Sequence, residues 1–159
     1  MSSSPSVALS ALAPEPGGIS ILLWNVNGIR SVYRKGALER LLQGDRIDVL
    51  VLTEVKSSLL KLRKFKSGAL ATLLDNCFPY QYFAECRLHG GGLHGAAILS
   101  TSSPRFVSYG MDDEEWDLHG RVVNAVYGSY VLVGVYVPSP GFSPETVNRV
   151  RSFYVGFAR

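Results

Sequence analysis

A short apolar run that ends abruptly in polar residues constrains the fold of this chain more than any other feature. Ile19–Trp24 is apolar except for one serine and rich in branched side chains, which is typical of a buried strand. Asn25 and Asn27 follow it directly. Gly28 then permits a tight turn, and the guanidinium of Arg30 suits oxyanions. The pattern predicts a strand whose carboxyl end faces a polar site.

A second apolar run repeats this plan. Ile47–Leu52 leads to Glu54, and Gly36–Leu42 between the two runs has the composition of a short helix. Two parallel strands joined by a helix would bring Asn25 and Glu54 together at the carboxyl edge of one sheet, where open α/β sheets bind ligands. An amide oxygen beside a carboxylate suits a hard cation such as Mg²⁺. The alternative is structural, with Asn25 capping a turn and Glu54 solvated at a helix start.

Length and composition fit one soluble α/β domain. The chain has 159 residues and a net charge of +3, which permits a polyanionic partner without requiring one. No apolar run reaches the ~18 residues of a membrane span. Residues 1–18 are rich in Ser, Ala and Pro and lack basic residues, which predicts a disordered leader before a domain at 19–159. The two cysteines and the lack of a secretory signal indicate a reducing, intracellular compartment.

Beyond Phe78 the sequence changes to strand signals separated by Gly, Pro and Ser. The predicted strands are Tyr80–Cys86, Gly95–Ser100, Arg105–Tyr109, Arg121–Tyr127 and Tyr130–Val137. The two residues between the last pair are typical of a hairpin loop. Ser143 and Pro144 then predict a helix start, because serine caps the first turn and proline fits the first helical position.

Three segments between these elements have less specific patterns. Residues 56–76 alternate basic and leucine side chains and predict a helix or loop whose basic face is solvated or faces phosphates. Residues 90–92 predict a mobile glycine loop, because no Lys-Ser or Lys-Thr follows to complete a phosphate cradle. Residues 112–117 predict a solvated acidic loop around Trp116.

Several motifs occur in a specific order. They are W-N-V-N-G-I-R at 24–30, L-T-E-V-K at 52–56, G-A-A-I-L-S at 95–100, S-Y-G-M-D-D-E-E-W-D-L-H-G-R-V at 108–122 and Y-V-P-S at 136–139. Together they resemble the exodeoxyribonuclease III and apurinic/apyrimidinic (AP) endonuclease family, within the endonuclease/exonuclease/phosphatase superfamily. A strand-end Asn and Glu occur throughout that superfamily, which leaves a phosphoinositide or phospholipid phosphodiesterase or phosphatase open. The 108–122 block together with N-G-I-R favours the repair branch.

The resemblance implies a fold and an activity. The fold would be half of a four-layered, DNase-I-like α/β sandwich, with a mixed sheet and flanking helices. The activity would be Mg²⁺-dependent, with Mn²⁺ as an alternative, and would hydrolyse the phosphodiester 5′ to an abasic site in double-stranded DNA during base-excision repair. We expect a nuclear protein, with plastid and mitochondrion as alternatives.

The resemblance also implies roles for single residues. Asn25 and Glu54 would form the metal and phosphate site, with Asn25 also catalytic. Tyr136 would bind the scissile phosphate or assist the leaving oxygen. At the DNA backbone we expect Arg30, with Arg34 or Lys35 nearby, and the loop at Gly92. Arg121 is expected to form a structural salt bridge, with the acidic loop as its candidate partner, and secondarily to face DNA.

Some positions depart from the family pattern. Thr53 and Val55 replace the usual Gln and Thr beside the glutamate, Ser139 stands where Asn is common, and Leu93 stands where animal enzymes often have an aromatic residue. The family's later Gly-Asp-x-Asn and Ser-Asp-His motifs are not in this sequence. We therefore expect an N-terminal half that is weakly active or inactive and self-associates through an unpaired apolar sheet face. The alternative is a non-catalytic DNA-binding or interaction module of the same fold.

Overall fold

The computed structural model describes residues 17–44, 46–88 and 92–158. Nearly all of the predicted leader and most of the predicted glycine loop therefore lie outside the described residues. The strands are β1 (Ile21–Asn25), β2 (Val49–Thr53), β3 (Tyr80–Ala84), β4 (Ala96–Ser100), β5 (Phe106–Tyr109), β6 (Val122–Val126) and β7 (Val131–Val135). The helices are α1 (Ile29–Arg34), α2 (Ala37–Leu42), α3 (Leu59–Lys64), α4 (Ala69–Cys77), α5 (Glu114–Asp117) and α6 (Pro144–Phe157).

The first sheet is mixed and has the strand order β1-β2-β4-β3. β1 and β2 are parallel, with Asn25 opposite Thr53 at their carboxyl ends. β4 is antiparallel to β2 and to β3. Every residue of β2 is buried, as expected of a continuous apolar strand covered on both faces. The parallel pair predicted from the two apolar runs is confirmed.

Helices α1–α4 cover one face of this sheet. Their buried residues pack on the side chains of β2 and β4 that point to this face: Ile29, Leu38, Leu62, Leu70 and Leu74 contact Leu50, Leu52, Ala97 and Leu99. Residues 56–76, predicted as a helix or loop, form two helices with a break between α3 and α4. Lys66 and Ser67 have φ of 47° and 55°, which no helix continues through. Apart from Lys56, the basic side chains therefore lie on α3 and in the break after it, and α4 contains none.

The second sheet, β5-β6-β7, is antiparallel and covers the opposite face of the first. Val49, Val51 and Ile98 meet Val123 and Ala125 between the sheets. The sheets approach so closely at Gly134 that a β-carbon there would lie 3.0 Å from Cγ1 of Val51. All five strands predicted beyond Phe78 are present within one or two residues of their predicted ends.

An outer layer of helix covers part of the second sheet. Phe153 of α6 and Trp116 of α5 pack with Val122 of β6. The helix start predicted at Ser143 is confirmed, since its hydroxyl accepts a hydrogen bond from the amide of Thr146 in a capping box. The order helix, sheet, sheet, helix confirms the predicted α/β sandwich with flanking helices.

The prediction of a solvated loop around Trp116 is wrong. Trp116 is 2% exposed and lies in the short helix α5. Asp113 caps this helix by accepting hydrogen bonds from the amides of Glu115 and Trp116, and Asp117 accepts one from the amide of Met111. The carboxylates of Asp113 and Asp117 thus accept hydrogen bonds from backbone amides and stabilise this segment, while the Trp116 indole faces the core.

Apolar side chains are exposed on both sheets. Ile21 and Leu23 of β1 are 46% and 63% exposed. They pair with Val49 and Val51 of β2, which are buried against the second sheet. The second sheet therefore covers β2 but does not extend over β1. Phe106 of β5 is likewise exposed. No helix in the described ranges is long and apolar enough to cross a membrane.

Candidate active site

The site forms where β1 and β2 end side by side. The amide nitrogen Nδ2 of Asn25 donates a 2.8 Å hydrogen bond to Oε1 of Glu54. The amide oxygen Oδ1 of Asn25 accepts from the backbone N–H of Asn27 at 3.1 Å. Backbone bonds from Val26 to Thr53 and from Gly28 to Glu54 join the two strand ends. The predicted proximity of Asn25 and Glu54 is therefore confirmed. The structure also shows that the amide nitrogen of Asn25, and not its oxygen, faces the carboxylate.

Lys56 completes the charge balance of the site. Its Nζ lies 2.8 Å from Oε2 of Glu54 and 2.5 Å from Oδ1 of Asn27. The ammonium therefore joins the loop after β2 to the loop after β1. Lys56 was not predicted as a site residue. Its spacing of two positions from Glu54 was a usable signal, because side chains two positions apart in an extended segment lie on the same side.

The backbone around this cluster has an unusual conformation. Asn27, Glu54, Lys56 and His94 have φ between 43° and 52°. A left-handed conformation at a residue other than glycine costs on the order of 1–3 kcal/mol and is enriched at functional sites. The amides of Val55 and Lys56 donate to the carbonyls of Gly95 and His94 at 3.1 and 2.8 Å, which holds the loop after β2 against the start of β4.

Tyr136 reaches the same point from the second sheet. It directly follows β7, and its side chain lies close enough to Glu54 to influence the carboxylate. Hydrogen bonds from Lys56 and Asn25, with a smaller contribution from Tyr136, hold the pKa of Glu54 below its usual range. Burial, followed by the neighbouring Glu54, raises the pKa of Tyr136. At neutral pH the site thus presents an ionised carboxylate and a protonated phenol.

Arg121 supports Tyr136 from behind and is itself buried, with 4% exposure. Its Nη1 donates to the backbone carbonyl of Tyr136 at 3.1 Å, and its Cζ lies 4.7 Å from the centre of the tyrosine ring. The predicted salt bridge to the acidic segment is wrong. Two carboxylates of that segment, Asp113 and Asp117, bond backbone amides near α5, and Nη2 of Arg121 instead lies 3.3 Å from the ring of His94.

Two histidines and a second arginine extend the cluster away from Glu54. The rings of His94 and His119 lie 5.3 Å apart, and Nη2 of Arg149 lies 3.0 Å from Nε2 of His119. Burial, then the charges of Arg121 and His119, lower the pKa of His94 to about 4. Burial and the two arginines also lower the pKa of His119. No local sequence pattern predicts this group, because its members lie far apart along the chain.

The other residues predicted to contact DNA lie beside this site. The guanidinium carbons of Arg30 and Arg34 on α1 lie 6.0 and 5.0 Å from the centre of the Phe65 ring. Lys35 directly follows α1, and Gly92 is an exposed residue shortly before β4. α1 is held near Glu54, because the amide of its first residue donates to the carbonyl of Val55. Arg34, Lys35 and Gly92 are exposed and Arg30 is partly buried, so the three basic residues form a basic surface next to the loop that carries Glu54.

The donor chemistry of the site suits a divalent cation with a single protein carboxylate. Mg²⁺ is commonly bound through one or two carboxylates together with substrate phosphates. Glu54 is ionised and partly exposed, and a cation there would replace the ammonium of Lys56 at Oε2. Within residues 17–44, 46–88 and 92–158 no group of three or more His, Cys, Asp or Glu could hold a metal ion. The residues fit a shared site in which the substrate completes the coordination.

The fold and the site define a class of protein: α/β sandwiches with a carboxylate, an amide and a tyrosine at the strand ends of two stacked sheets. The family model described as the Endonuclease/Exonuclease/phosphatase family matches residues 22–157. The chain belongs to this family.

Relatives within the family are named for DNA repair. The chain is 32% identical over 134 residues to Recombination repair protein 1 of Drosophila melanogaster, covering 84% of this chain and 18% of that protein. It is 30% identical over 135 residues to DNA repair nuclease APEX1 of Danio rerio, covering 85% of this chain and 41% of that protein. The resemblance to the AP endonuclease and exodeoxyribonuclease family is thereby confirmed.

A solved structure supports the fold. The AP endonuclease from Archaeoglobus fulgidus superposes with a TM-score of 0.67 at 26% identity, covering 87% of this chain and 49% of that chain. The 3′ phosphatase NExo from Neisseria, solved with a product DNA hairpin, superposes with a TM-score of 0.65 at 23% identity, covering 87% of this chain and 49% of that chain. The chain spans about half of these solved chains and less than half of the curated relatives described above.

Proposed function

We propose that this chain carries part of the active site of an abasic-site DNA endonuclease that hydrolyses the phosphodiester 5′ to the lesion. The observation that carries the proposal is the convergence of Asn25, Glu54 and Tyr136, from two sheets, on one ionised carboxylate. The names of the relatives support DNA as the substrate class. The two arginines of α1, of which Arg34 is exposed and Arg30 partly buried, support a duplex lying across the same edge.

Glu54 would hold the divalent cation, with Mg²⁺ as the proposed ion and Mn²⁺ as an alternative. The bound cation supplies neutralisation of charge on the phosphate oxygens. Asn25 fixes the orientation of the Glu54 carboxylate through Oε1. Lys56, once displaced from Oε2, remains as a cation beside the phosphate.

Tyr136 is the proposed contact to the scissile phosphate. Its raised pKa keeps the phenol protonated, so it donates a hydrogen bond to a phosphate oxygen or to the leaving oxygen. Arg121 acts as a positioning residue, because it contacts both the backbone carbonyl and the ring of Tyr136. Arg30, Arg34, Lys35 and the loop at Gly92 are the proposed contacts to the DNA backbone.

The 159-residue chain is expected to be weakly active or inactive by itself. A general base and a positioned charge typically each contribute orders of magnitude in rate. His94 is the nearest imidazole to Tyr136 in the described cluster, and its pKa of about 4 makes it a poor proton acceptor. A second candidate function is therefore a non-catalytic DNA-binding module. The ion pair between Lys56 and Glu54 favours it, because the ammonium occupies the carboxylate oxygen at which a metal cation would bind.

An incision assay with three substrates tests this proposal. The purified chain is incubated with Mg²⁺ and a labelled abasic-site duplex, an undamaged duplex, or an inositol phosphate. We expect slow cutting 5′ to the abasic site only, abolished by EDTA and by Glu54→Gln but retained in the control Glu145→Gln on the exposed start of α6. Salt-dependent DNA binding without any cutting, and with the same affinity in Mg²⁺, in EDTA and for Glu54→Gln, would select the non-catalytic module. Hydrolysis of the inositol phosphate alone would overturn the DNA assignment.

A further inference from the structure

Arg121, Arg149, His94, His119 and Trp116 form an arginine–histidine cluster. Three of its buried side chains have a nitrogen without a hydrogen-bond partner among the residues that the structure describes. They are Nε1 of Trp116, Nδ1 of His119 and Nε of Arg121. The three residues are 2%, 6% and 4% exposed. They also contact one another, with 5.4 Å between the rings of Trp116 and His119 and 6.0 Å from Cζ of Arg121 to the Trp116 ring. Buried polar groups normally have partners, so three orphans in one cluster require an explanation.

All three orphan nitrogens are hydrogen-bond donors. An indole Nε1 and a guanidinium Nε always carry a hydrogen. Nε2 of His119 lies 3.0 Å from Nη2 of Arg149, which can only donate, so Nε2 accepts and the hydrogen of the neutral ring is on Nδ1. The group therefore lacks acceptors, not donors. One water molecule accepts only two hydrogen bonds and would leave its own hydrogens unpaired here.

The cluster also carries positive charge without a paired carboxylate. Neither Arg121 nor Arg149 forms an ion pair with an acid among the described residues. Instead the Cζ atoms of the two guanidiniums lie 6.0 and 5.3 Å from the centre of the Trp116 ring. Glu54 and Glu115 influence His94 and His119 less than burial and the arginines do. Buried charges are ordinarily paired, so the missing partner is an anion.

We propose that Arg121, Arg149, His119 and Trp116 form a binding site for a phosphate group, next to the Glu54 site and separate from it. A phosphate group only needs to accept hydrogen bonds, and its several oxygens can serve donors from different directions. Arg149 is the exposed member of the group and lies on the solvent side, where the anion enters. The phosphate comes either from the DNA backbone or from free inorganic phosphate. The site does not depend on the nuclease function.

The indole N–H signal of Trp116 reports directly on this site. The chain has two tryptophans, and Trp24 on β1 serves as the internal control. Inorganic phosphate, titrated at constant ionic strength against chloride in a ¹H–¹⁵N spectrum, should shift the Trp116 signal saturably and leave Trp24 unchanged. Sulfate should act alike. No saturable shift, or the same shift with chloride, would overturn the proposal.

Two variants on α6 make the test specific. Arg149→Gln should weaken phosphate binding about tenfold, because it removes a charge-assisted donor. Arg151→Gln, an exposed arginine two positions away, should bind like the parent chain. Equal affinities of the two variants would contradict the assignment. A short undamaged duplex that displaces inorganic phosphate from Trp116 identifies backbone phosphate as the source, whereas phosphate binding without displacement identifies the free anion.

Discussion

At the scale of single residues, the balance of charge determines what the proposed anionic substrate would meet at the Glu54 site. The carboxylate is balanced by the ammonium of Lys56 and by two neutral donors, Asn25 and Tyr136. Arg121 lies behind Tyr136 and Arg149 lies beside His119, and neither forms an ion pair with an acid in the part of the chain that the structure describes. A phosphodiester arriving at this edge therefore meets a net positive environment despite the glutamate.

The histidine beside Tyr136 should titrate far below its usual range. Burial and the charge of Arg121 lower the pKa of His94 to about 4, against 6.5 for the unperturbed side chain. Between these pH values the unfolded chain binds more protons than the folded chain, so stability falls as the pH is lowered from about 6.5 to about 4. A ¹H–¹⁵N titration of the histidine rings measures this pKa, and a value above 6 would contradict the account.

A variant separates His94 from the other titrating groups. His94→Gln should reduce the loss of unfolding free energy between pH 6.5 and 4, measured by urea unfolding. A smaller pH dependence should remain, because the pKa of His119 is also lowered. Glu54, whose pKa is lowered from 4.5, begins to lose its contribution only at the acid end of that window, from about pH 4.5 downward. An unchanged pH profile in the variant would show that His94 is not responsible.

At the scale of secondary structure, the strands were predictable and several helices were not. Most strands are apolar runs with Gly, Pro, Ser or Asn at or near one end, which are strong local signals. α1 was missed because its six residues contain too few apolar repeats to show a helical period. The break between α3 and α4 was missed because the leucine periodicity continues across Lys66 and Ser67 while the backbone does not.

The parts of the site that were predictable from the sequence are those that follow the predicted strands. Asn25 and Glu54 follow two parallel strands, so their proximity comes from local patterns and one topological rule. His94, His119 and Arg149 meet only because β4, α5 and α6 pack around Arg121. No local pattern encodes such contacts. The role of Tyr136 came from the resemblance to the family, since a strand-end tyrosine alone fits a core position equally well.

The turn that precedes Arg121 should be intolerant of any side chain. Gly120 has a φ of 60°, and a β-carbon there would lie 2.4 Å from the carbonyl carbon of Glu85. Gly120→Ala should therefore destabilise the fold by more than about 2 kcal/mol, because backbone atoms must move. Gly44→Ala, where φ is ordinary and the nearest contact is 3.4 Å, serves as the control. Equal unfolding midpoints in urea would contradict this packing.

At the scale of the whole molecule, the exposed apolar strands are the main liability. Ile21 and Leu23 point to the side that the second sheet covers over β2 but not over β1. β1 is also an edge strand of the described sheet, with unpaired backbone groups along its outer side. Both features favour association with another chain or another copy of this one.

Self-association through β1 is therefore a testable prediction. The chain should form dimers or larger species at micromolar concentration, and Leu23→Lys should shift the population toward monomer by placing a charge on the apolar surface. Leu60→Lys, on the equally exposed position of α3, should not. Sedimentation velocity compares the three proteins. A monomeric parent chain, or equal effects of both substitutions, would contradict the role of β1.

The most direct test of the account concerns the metal and phosphate role of Glu54, which does not require turnover. The affinity of the chain for an abasic-site duplex is measured at fixed ionic strength with Mg²⁺ and with EDTA, for the parent chain, Glu54→Gln and Glu145→Gln. We predict that Mg²⁺ strengthens binding to the parent and to Glu145→Gln by about tenfold or more and has no effect on Glu54→Gln. Equal Mg²⁺ dependence in all three proteins would contradict the assignment of Glu54.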